Sequence, residues 1–433
     1  MYRSEDVRNG SFSLAFVKLK YALQHGSQCL WCVLFSPRRA KTEHMKGQNR
    51  GMRTSYVKKG TTMGKGLEGV VAASTGISYI DGLNGRLFYR GIDINELAER
   101  STFEETTALL WYGKLPNPQQ MESFNRKFCE NRQIPNEVLA LLMSLPKKTS
   151  PMEVLRTAVS ALSAYDPDDL DNSLEANVQK SIRLTASMPT VAAAWDRIRK
   201  GQWPILPSMT LSHAANFLYM LTGKEPDPKA AKVLDICLIL HADHGLNAST
   251  FSARITASTL SDLHSSITSA IGTLKGPLHG GANEQVMNML REIGQPDRVD
   301  QYIRGALNAK KKIMGFGHRV YKADDPRAAW LQRLSKDLAD SSGNQKWYQM
   351  SERIRVLVQE SKPLPVNVDF YSASVYYTLG IPIDLFTPIF AISRVAGWTA
   401  HVYEQYSDNR LIRPESEYIG PMDVSYVPII ERS

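Results

Sequence analysis

The chain has 433 residues, of which 43% are hydrophobic and 22% are charged. This length is typical of two or three domains and can bury a core without covalent staples. There is no uninterrupted apolar run of about 18 residues, which disfavours a transmembrane helix. The 4 cysteines are too few for a disulfide scaffold. Cys129 and Cys237 stand alone in helix-like segments, so we expect buried thiols and a reducing, cytoplasmic compartment.

The formal net charge of +9 is concentrated at the N-terminus. Residues 1–66 contain 13 Lys or Arg and 3 Asp or Glu, whereas the rest of the chain contains 39 and 40. The globular body is therefore close to neutral, and its charge does not indicate nucleic acid as a partner. A different class of function, nucleic-acid binding through the basic segment, is kept as an alternative. The segment lacks the interleaved aromatic residues and the recognisable module that such binding would use.

Residues 1–65 lack a sustained helical or strand period, and we predict a basic, disordered extension. A transit peptide also fits this acid-poor composition. The Cys-x-x-Cys pair, Cys29 and Cys32, follows no predicted strand and lacks a second pair that would complete a zinc site. The other interpretation is a true start further along the chain, at Met45, Met52 or Met63.

Ordered structure is predicted from about residue 66. Residues 77–90 alternate apolar and polar on both sides of the turn sequence 81–85, which predicts a β-hairpin. Nearly every later segment has a helical period. Ser101 or Thr102 can cap one helix, and Asp227-Pro228 and Thr387-Pro388 can each open a strongly apolar helix. The predicted fold is therefore mainly α, with one short N-terminal hairpin.

His241 and His244 lie at the end of the apolar helix that starts near Pro228. They are three residues apart and share a helix face. The pair fits two hydrogen-bonded core histidines as well as a functional site, and a third ligand at metal-binding spacing is not evident. His279 is surrounded by Gly276, Gly280 and Gly281, where the backbone can approach a ligand closely. The next helix begins there, and its free amides would favour a neutral imidazole.

A basic cluster surrounds His318, which follows Gly315 and Gly317. Those two glycines are not a dinucleotide fingerprint, because the third glycine and the parallel strand are missing. The cluster fits either a solvated basic face or a site for a multiply anionic ligand. Its members are Lys310, Lys311, Lys312, Arg319, Lys322 and Arg327.

Asp369 is a lone carboxylate in an apolar and aromatic stretch. Its pKa should be raised unless it is paired, which makes it a candidate general base. Arg394 lies inside the second apolar helix, and a buried guanidinium requires an anion. The candidate residues are thus histidines, one carboxylate and arginines, and no nucleophilic Ser or Cys lies beside a base. This set suits proton abstraction next to a carbonyl in an acidic substrate.

Several long motifs resemble the citrate synthase family, and its cyanobacterial and other bacterial members most closely. The resemblance covers about residues 66–433, with the motifs in the family's order and spacing. They are HADHGLNASTFSARITAST (241–259), GPLHGGANE (276–284), MGFGHRVYKADDPRA (314–328), NVDFYS (367–372), FTPIFAISRVAGW (386–398) and SDNRLIRP (407–414).

This resemblance implies a mostly helical homodimer, or a higher oligomer built from it, in which each subunit has two domains that close over the substrates. The large domain would be 66–278 plus 375–433, and the small one 279–374. The implied reaction condenses acetyl-CoA with oxaloacetate and hydrolyses citryl-CoA to citrate and CoA, the entry step of the tricarboxylic acid cycle. No metal or redox cofactor would be required, and no membrane or nucleic acid would be a partner.

The resemblance also implies residue roles. Asp369 would take a proton from acetyl-CoA, His279 would donate to the thioester oxygen, and His318 would donate to the new alkoxide. Oxaloacetate would be held by His244, Arg327 and Arg394, and by Arg413 from the other subunit. The implied CoA-binding residues are Met314, Gly315, Gly317 and Lys322.

The runner-up is 2-methylcitrate synthase, which shares this site and uses propionyl-CoA. One additional methylene changes discrimination by only about 1–3 kcal/mol, so the motifs leave the choice open. Some relatives in the family carry an N-terminal β-rich domain and an NADH site. Residues 1–66 do not resemble that domain, and no NADH site is expected.

Overall fold

The structure is a computed structural model that describes residues 65–432. The chain divides into two compact units, Met1–Val70 and Val71–Ser433. In the first unit the described part is a 3-10 turn at Lys65–Leu67, followed by a hydrogen bond of 3.1 Å from the Val70 amide to the Leu67 carbonyl. The predicted extension up to residue 64 and its Cys-x-x-Cys pair lie outside the described residues. The remaining description concerns the second unit.

A small antiparallel sheet opens the second unit. Its strands are β1 (Ser78–Asp81), β2 (Arg86–Tyr89) and β3 (Ile92–Asp93), in the order β1-β2-β3. Ser78 pairs with Tyr89 and Asp81 pairs with Arg86, so the turn lies where the sequence predicts it. The predicted hairpin is confirmed, and β3 extends it by one short strand.

Sixteen α-helices follow within the described residues. Their bounds are α1 Ile94–Arg100, α2 Phe103–Tyr112, α3 Pro118–Glu130, α4 Asn136–Ser144, α5 Pro151–Leu162, α6 Leu174–Arg199, α7 His213–Thr222, α8 Pro228–His241, α9 Ala248–Ser258, α10 Leu263–Leu274, α11 Ala282–Ile293, α12 Val299–Asn308, α13 Pro326–Ser342, α14 Lys346–Ser361, α15 Val368–Thr378 and α16 Phe386–Ser407.

The helix starts follow the local capping signals. Thr102 caps α2 by accepting the Glu105 amide, one of the two caps that the sequence allows. Helix α8 begins at Pro228 after Asp227, as predicted, although the Asp227 side chain makes no capping hydrogen bond. Helix α16 begins at Phe386, two residues before Pro388, the predicted first position.

Helix α16 is the centre of the core. It is buried on nearly all sides and packs against α2, α6, α8, α9 and α10. Helices α11 to α15 pack mainly on one another, while α11 also contacts α16 and α13 also contacts α1 and α8. Two helical groups therefore meet along α8, α11, α13 and α16, which is where the histidine motifs lie.

The two cysteines in the part of the chain that the structure describes differ in burial. Cys237 is buried on α8, as predicted, but Cys129 is only partly buried because α3 is amphipathic and packs only one face on the core. Within the described residues, no helix combines the length and apolar character needed to cross a membrane.

Candidate active site

The polar motifs, which are far apart in sequence, converge at the junction of the two helical groups. His244 lies between α8 and α9, His279 precedes α11, His318 precedes α13, and Asp369 lies in the first turn of α15. Their proximity shows in the pKa values, because the charge of Arg327, Arg394 or both shifts the pKa of each of these four side chains. The predicted site residues that meet here are His244, His279, His318, Arg327, Asp369 and Arg394.

His244 and His318 form the centre of this group. Their ring centroids are 5.3 Å apart, and Tyr321 packs against both rings. The Tyr321 hydroxyl lies 3.3 Å from His244 Nε2. Burial, and then the charge of Arg327, lowers the pKa of His244 well below its usual value. Sequence reasoning missed Tyr321, whose place beside His244 depends on a contact across 77 residues.

The backbone fixes the tautomer of His318. Its Nδ1 accepts the amides of Val320 and Tyr321, each at 3.0 Å. The proton of the neutral ring is therefore on Nε2. Burial, assisted by the charge of Arg327, lowers the pKa of His318 to about 4. At neutral pH this side chain is an uncharged hydrogen-bond donor.

His279 is oriented by Ser249, a contact that the sequence did not reveal. Its Nε2 lies 2.8 Å from Ser249 Oγ and 3.3 Å from the Ser249 backbone amide. An amide that points at Nε2 requires a lone pair there, so the proton is on Nδ1. Trp398 Nε1 donates to Ser249 Oγ at 3.1 Å and holds the serine in place. Burial, and then Arg394, lowers the pKa of His279 to about 4. The neutral ring was predicted, but burial is the main cause.

Asp369 is nearly without hydrogen-bonding support. The side chain of Asn367 caps α15 by accepting the Asp369 amide at 3.1 Å. The Asp369 Oδ1 atom is buried, and none of the described residues donates a hydrogen bond to it. Burial raises the pKa of Asp369 to about 7, against the opposing charges of Arg327 and Arg394. The raised pKa is the one that the sequence predicts for this carboxylate.

Arg327 is held by a buried partner, Asp325. Two hydrogen bonds join them, Nε to Oδ1 at 2.9 Å and Nη2 to Oδ2 at 2.7 Å. Asp325 also caps α13 by accepting the Arg327 amide at 3.0 Å. The fork geometry fixes the plane of the guanidinium and leaves Nη1 outside the pair. The Asp-Pro-Arg spacing, with aspartate at the helix cap, is the local signal for this pairing.

Arg394 is a buried cation with little compensation. Its Nε donates to the His241 carbonyl at 2.6 Å, and its guanidinium lies 4.6 Å from the Phe390 ring centroid. Its terminal nitrogens have no acceptor among the residues that the structure describes. Burial lowers the pKa of Arg394 to about 10. An anionic ligand would compensate this charge.

The two histidines at the end of α8 have different roles. His241 Nδ1 bonds to the Cys237 carbonyl at 2.7 Å in the preceding turn, and the ring is fully buried. It is the core histidine of the pair. His244, one helical turn later, faces the site.

The remaining predicted residues lie at the edges of this site or away from it. Gly315 and Gly317 have φ angles of 86° and 83°, and a Cβ on Gly315 would lie 2.6 Å from the Phe370 ring. Much of their backbone is already bonded within the protein: Asn367 donates to both carbonyls and the Gly317 amide donates to Pro365. Met314 is partly buried beside them.

The side chains of Lys322 and Arg413 are exposed. The Lys322 backbone amide donates to the Gly82 carbonyl at 2.8 Å. Arg413 lies after α16 and makes no side-chain hydrogen bond or ion pair within residues 65–432. The single chain therefore does not bring Arg413 to the other site residues.

A possible metal-binding group among the described residues contains none of the predicted site residues. It consists of Asp169, Asp262 and His264. The buried Lys180 ammonium donates to the carbonyls of Asp169 and Asp171 beside it, at 3.3 and 2.7 Å. A cation is therefore already present at this position.

The group combines a buried carboxylate with a raised pKa, two neutral imidazole donors and two buried guanidinium groups. Groups of these kinds suit an enzyme that transfers a proton next to a carbonyl in an anionic substrate.

Comparison with known proteins identifies the family. The profile described as "Citrate synthase, C-terminal domain" matches residues 66–415. "Citrate synthase 2" of Bacillus subtilis is 51% identical, over 86% of this chain and 100% of that protein. The citrate synthase of Synechocystis is 50% identical, over 85% and 94%. A "2-methylcitrate synthase 1" of Corynebacterium glutamicum is 42% identical, over 85% and 98%.

A solved citrate synthase structure is also similar to this chain. It is described as the ternary complex of carboxymethyl coenzyme A and oxaloacetate with citrate synthase from Thermoplasma acidophilum. It superposes with a TM-score of 0.81 at 33% identity, over 85% of this chain and 99% of that one. The chain belongs to the citrate synthase family. It is an enzyme that condenses acetyl-CoA with oxaloacetate to form citrate.

Proposed function

We propose that the reaction takes place at the convergence of the histidine motifs, with Asp369 as the general base. The observation that carries this proposal is the buried, unpaired Oδ1 of Asp369, whose pKa is raised to about 7. A carboxylate with this pKa is a stronger base than an exposed aspartate and is still partly ionised at neutral pH. Asp369 would remove a proton from the methyl group of the acetyl thioester.

Such a base is still far too weak for a thioester α-proton unless the enolate is stabilised as it forms. His279 is suited to this role, because Ser249 occupies its Nε2 and leaves the Nδ1 proton available. A neutral donor fixed before the reaction pays no reorganisation cost when charge develops on the thioester oxygen.

Oxaloacetate would lie between Arg394, Arg327 and the two central histidines. The terminal nitrogens of Arg394 and Nη1 of Arg327 can each face a carboxylate group, which the planar guanidinium fork recognises well. The enolate carbon would attack the ketone, and His318 would donate from Nε2 to the resulting alkoxide. His244 would complete the oxaloacetate site. Hydrolysis of citryl-CoA would then release citrate and CoA, and these steps need no metal or redox group.

CoA would extend along residues 314–317 toward Lys322. The glycine backbone groups are largely bonded to 365–367. The contacts would therefore come from Met314, the Gly315 amide, the open space beside the Gly317 α-carbon and the Lys322 ammonium.

We also propose two domains, with residues 279–374 as the small one and 66–278 plus 375–433 as the large one. The mutual packing of α11 to α15 supports this division. A homodimer would bring Arg413 of the partner subunit to oxaloacetate. In the single chain, Arg413 and apolar side chains of the same C-terminal segment, such as Ile419 and Ile430, are exposed, and a partner would cover them. The described cysteines are free thiols, which fits a cytoplasmic enzyme.

The thioester preference is the open alternative, because a relative named as a 2-methylcitrate synthase is 42% identical. The test is an assay of CoA release with oxaloacetate and either acetyl-CoA or propionyl-CoA. We expect a higher kcat/KM for acetyl-CoA. A higher kcat/KM for propionyl-CoA would assign the chain to 2-methylcitrate synthesis, and no CoA release with either would contradict the proposed function.

A further inference from the structure

The β1–β2 hairpin is attached at its base to the segment that carries His244. The Ser78 hydroxyl bonds to the Asp243 carboxylate and accepts the Gly245 amide at 3.1 Å. On the neighbouring strand, the Tyr89 hydroxyl donates to the Asp243 carbonyl at 2.8 Å. Both strands thus hold the residues on either side of His244.

The turn of the same hairpin contacts the segment that follows His318. The Gly82 carbonyl accepts the Lys322 amide at 2.8 Å. A Cβ on Gly82 would lie 2.5 Å from the Val320 carbonyl oxygen, and a Cβ on Gly85 would lie 2.6 Å from that of Asp324. The contact leaves no room for a side chain at either position, so the turn and residues 320–324 lie directly backbone against backbone.

The turn keeps its own shape. Asp81 Oδ1 accepts the amides of Leu83 and Asn84 at 3.2 and 3.0 Å, and its Oδ2 accepts the Asn84 side chain at 2.7 Å. These local bonds stiffen the turn without help from the segment it touches.

We infer that the β1–β2 hairpin is a positioning element that sets the separation of His244 and His318. Its base is fixed to Asp243 and Gly245, and its turn supports residues 320–324. The amides of Val320 and Tyr321 in that segment hold His318 Nδ1, and the Tyr321 hydroxyl contacts His244. The hairpin therefore spans the oxaloacetate end of the site without touching the reacting atoms. This role rests on the proposed function of the two histidines.

The variant Gly82→Ala tests the inference. The φ angle of Gly82 lies outside the left-handed region, so alanine adds only the collision with Val320. The segment must then move by several tenths of an ångström. Misplacement by about 1 Å can cost about 100-fold, and we expect kcat to fall roughly 10- to 100-fold. The KM for oxaloacetate should rise by a larger factor than the KM for acetyl-CoA, because Lys322 in the moved segment is proposed to contact CoA only through its long side chain.

The matched control is Gly305→Ala in α12, where an added Cβ has nothing within 4 Å. It should retain wild-type kinetics. The second variant, Asp81→Ala, softens the turn at a partly exposed position without adding bulk. It should change kcat and the oxaloacetate KM in the same direction but less.

Wild-type turnover is measured first, since its absence would overturn the proposed function and not the hairpin's role. With active wild type, the inference is overturned if Gly82→Ala and Asp81→Ala both match Gly305→Ala in kcat and oxaloacetate KM. It is also overturned if both variants change only the melting temperature, or if the acetyl-CoA KM rises as much as the oxaloacetate KM.

Discussion

Two opposing effects act on the pKa of Asp369. Burial favours the protonated form and raises the pKa, whereas the charges of two arginines favour the carboxylate and lower it. Neither Arg327 nor Arg394 touches Asp369, so the balance leaves the pKa at about 7. His279 and His318 are each half-buried without a bonded carboxylate partner, and desolvation lowers their pKa values to about 4. Near neutral pH these residues therefore supply one titrating carboxylate and two uncharged donors, the combination that the proposed enolate formation would use.

The first prediction concerns the pH dependence of the rate. As the proposed base, Asp369 would act in its ionised form, so kcat/KM for acetyl-CoA at saturating oxaloacetate should fall as the pH decreases through about 7. Oxaloacetate bound at Arg327 and Arg394, as proposed, would offset their charges and so raise the pKa of Asp369 above this value. The histidines titrate near 4 and add no limb above pH 5. A profile that stays flat down to pH 5 would contradict the assigned pKa of Asp369.

Local signals account for the elements that the sequence predicted. The hairpin turn and the cap of α2 depend on residues within a few positions of each other, and the apolar periods of α8 and α16 predicted their burial. The contacts that complete the site are long-range. Ser249 reaches His279 across 30 residues, and Tyr321 reaches His244 across 77. A periodic pattern contains no information about such pairs.

The turn glycines illustrate this limit. From the sequence, Gly82 and Gly85 are explained by the hairpin turn alone. In the structure they also permit contact with a segment more than two hundred residues away, because a Cβ on either would collide with its backbone.

Helix α7 provides the second prediction, which concerns stability. His213 is fully buried, its ring stacks on Phe103 with centroids 5.1 Å apart, and neither ring nitrogen has a partner among the described residues. Burial, and then Arg132, lowers the pKa of His213 to about 3. The unfolded chain therefore binds this proton and the folded one does not, so His213 causes a loss of stability as the pH falls below about 6.5.

Through His213, the free energy of unfolding should be about 2 kcal/mol lower at pH 5 than at pH 7.5. His213→Leu should remove that part of the pH dependence. Urea unfolding of both proteins at the two pH values measures it, and an unchanged pH dependence in the variant would show that His213 does not cause the loss.

At the scale of the whole molecule, the single chain leaves one proposed oxaloacetate ligand away from the site. Arg413 lies in the exposed segment after α16. An ordinary surface arginine before a proline would have the same environment. Only the assembled oligomer can distinguish it from an arginine that binds oxaloacetate in the partner's site.

The third prediction tests the assembly. Arg413→Leu should raise the KM for oxaloacetate about tenfold or more, since a charged hydrogen bond is worth about 1.5–3 kcal/mol. Mixing Arg413→Leu with Asp369→Asn subunits would place both lesions in one site of the heterodimer and leave the other site intact. At an oxaloacetate concentration well below the KM of Arg413→Leu, the mixture should show more activity than either homodimer. No gain after verified subunit exchange would contradict a role in the partner's site.

The most direct test of the central claim is a comparison of Asp369→Asn with wild type by CoA release and by calorimetric titration with oxaloacetate. The amide fills the same space but cannot accept the proton. General-base catalysis contributes about 10²–10⁴-fold, so we predict a loss of that size in kcat with oxaloacetate binding nearly unchanged. A variant that keeps more than about a tenth of wild-type kcat would exclude Asp369 as the base.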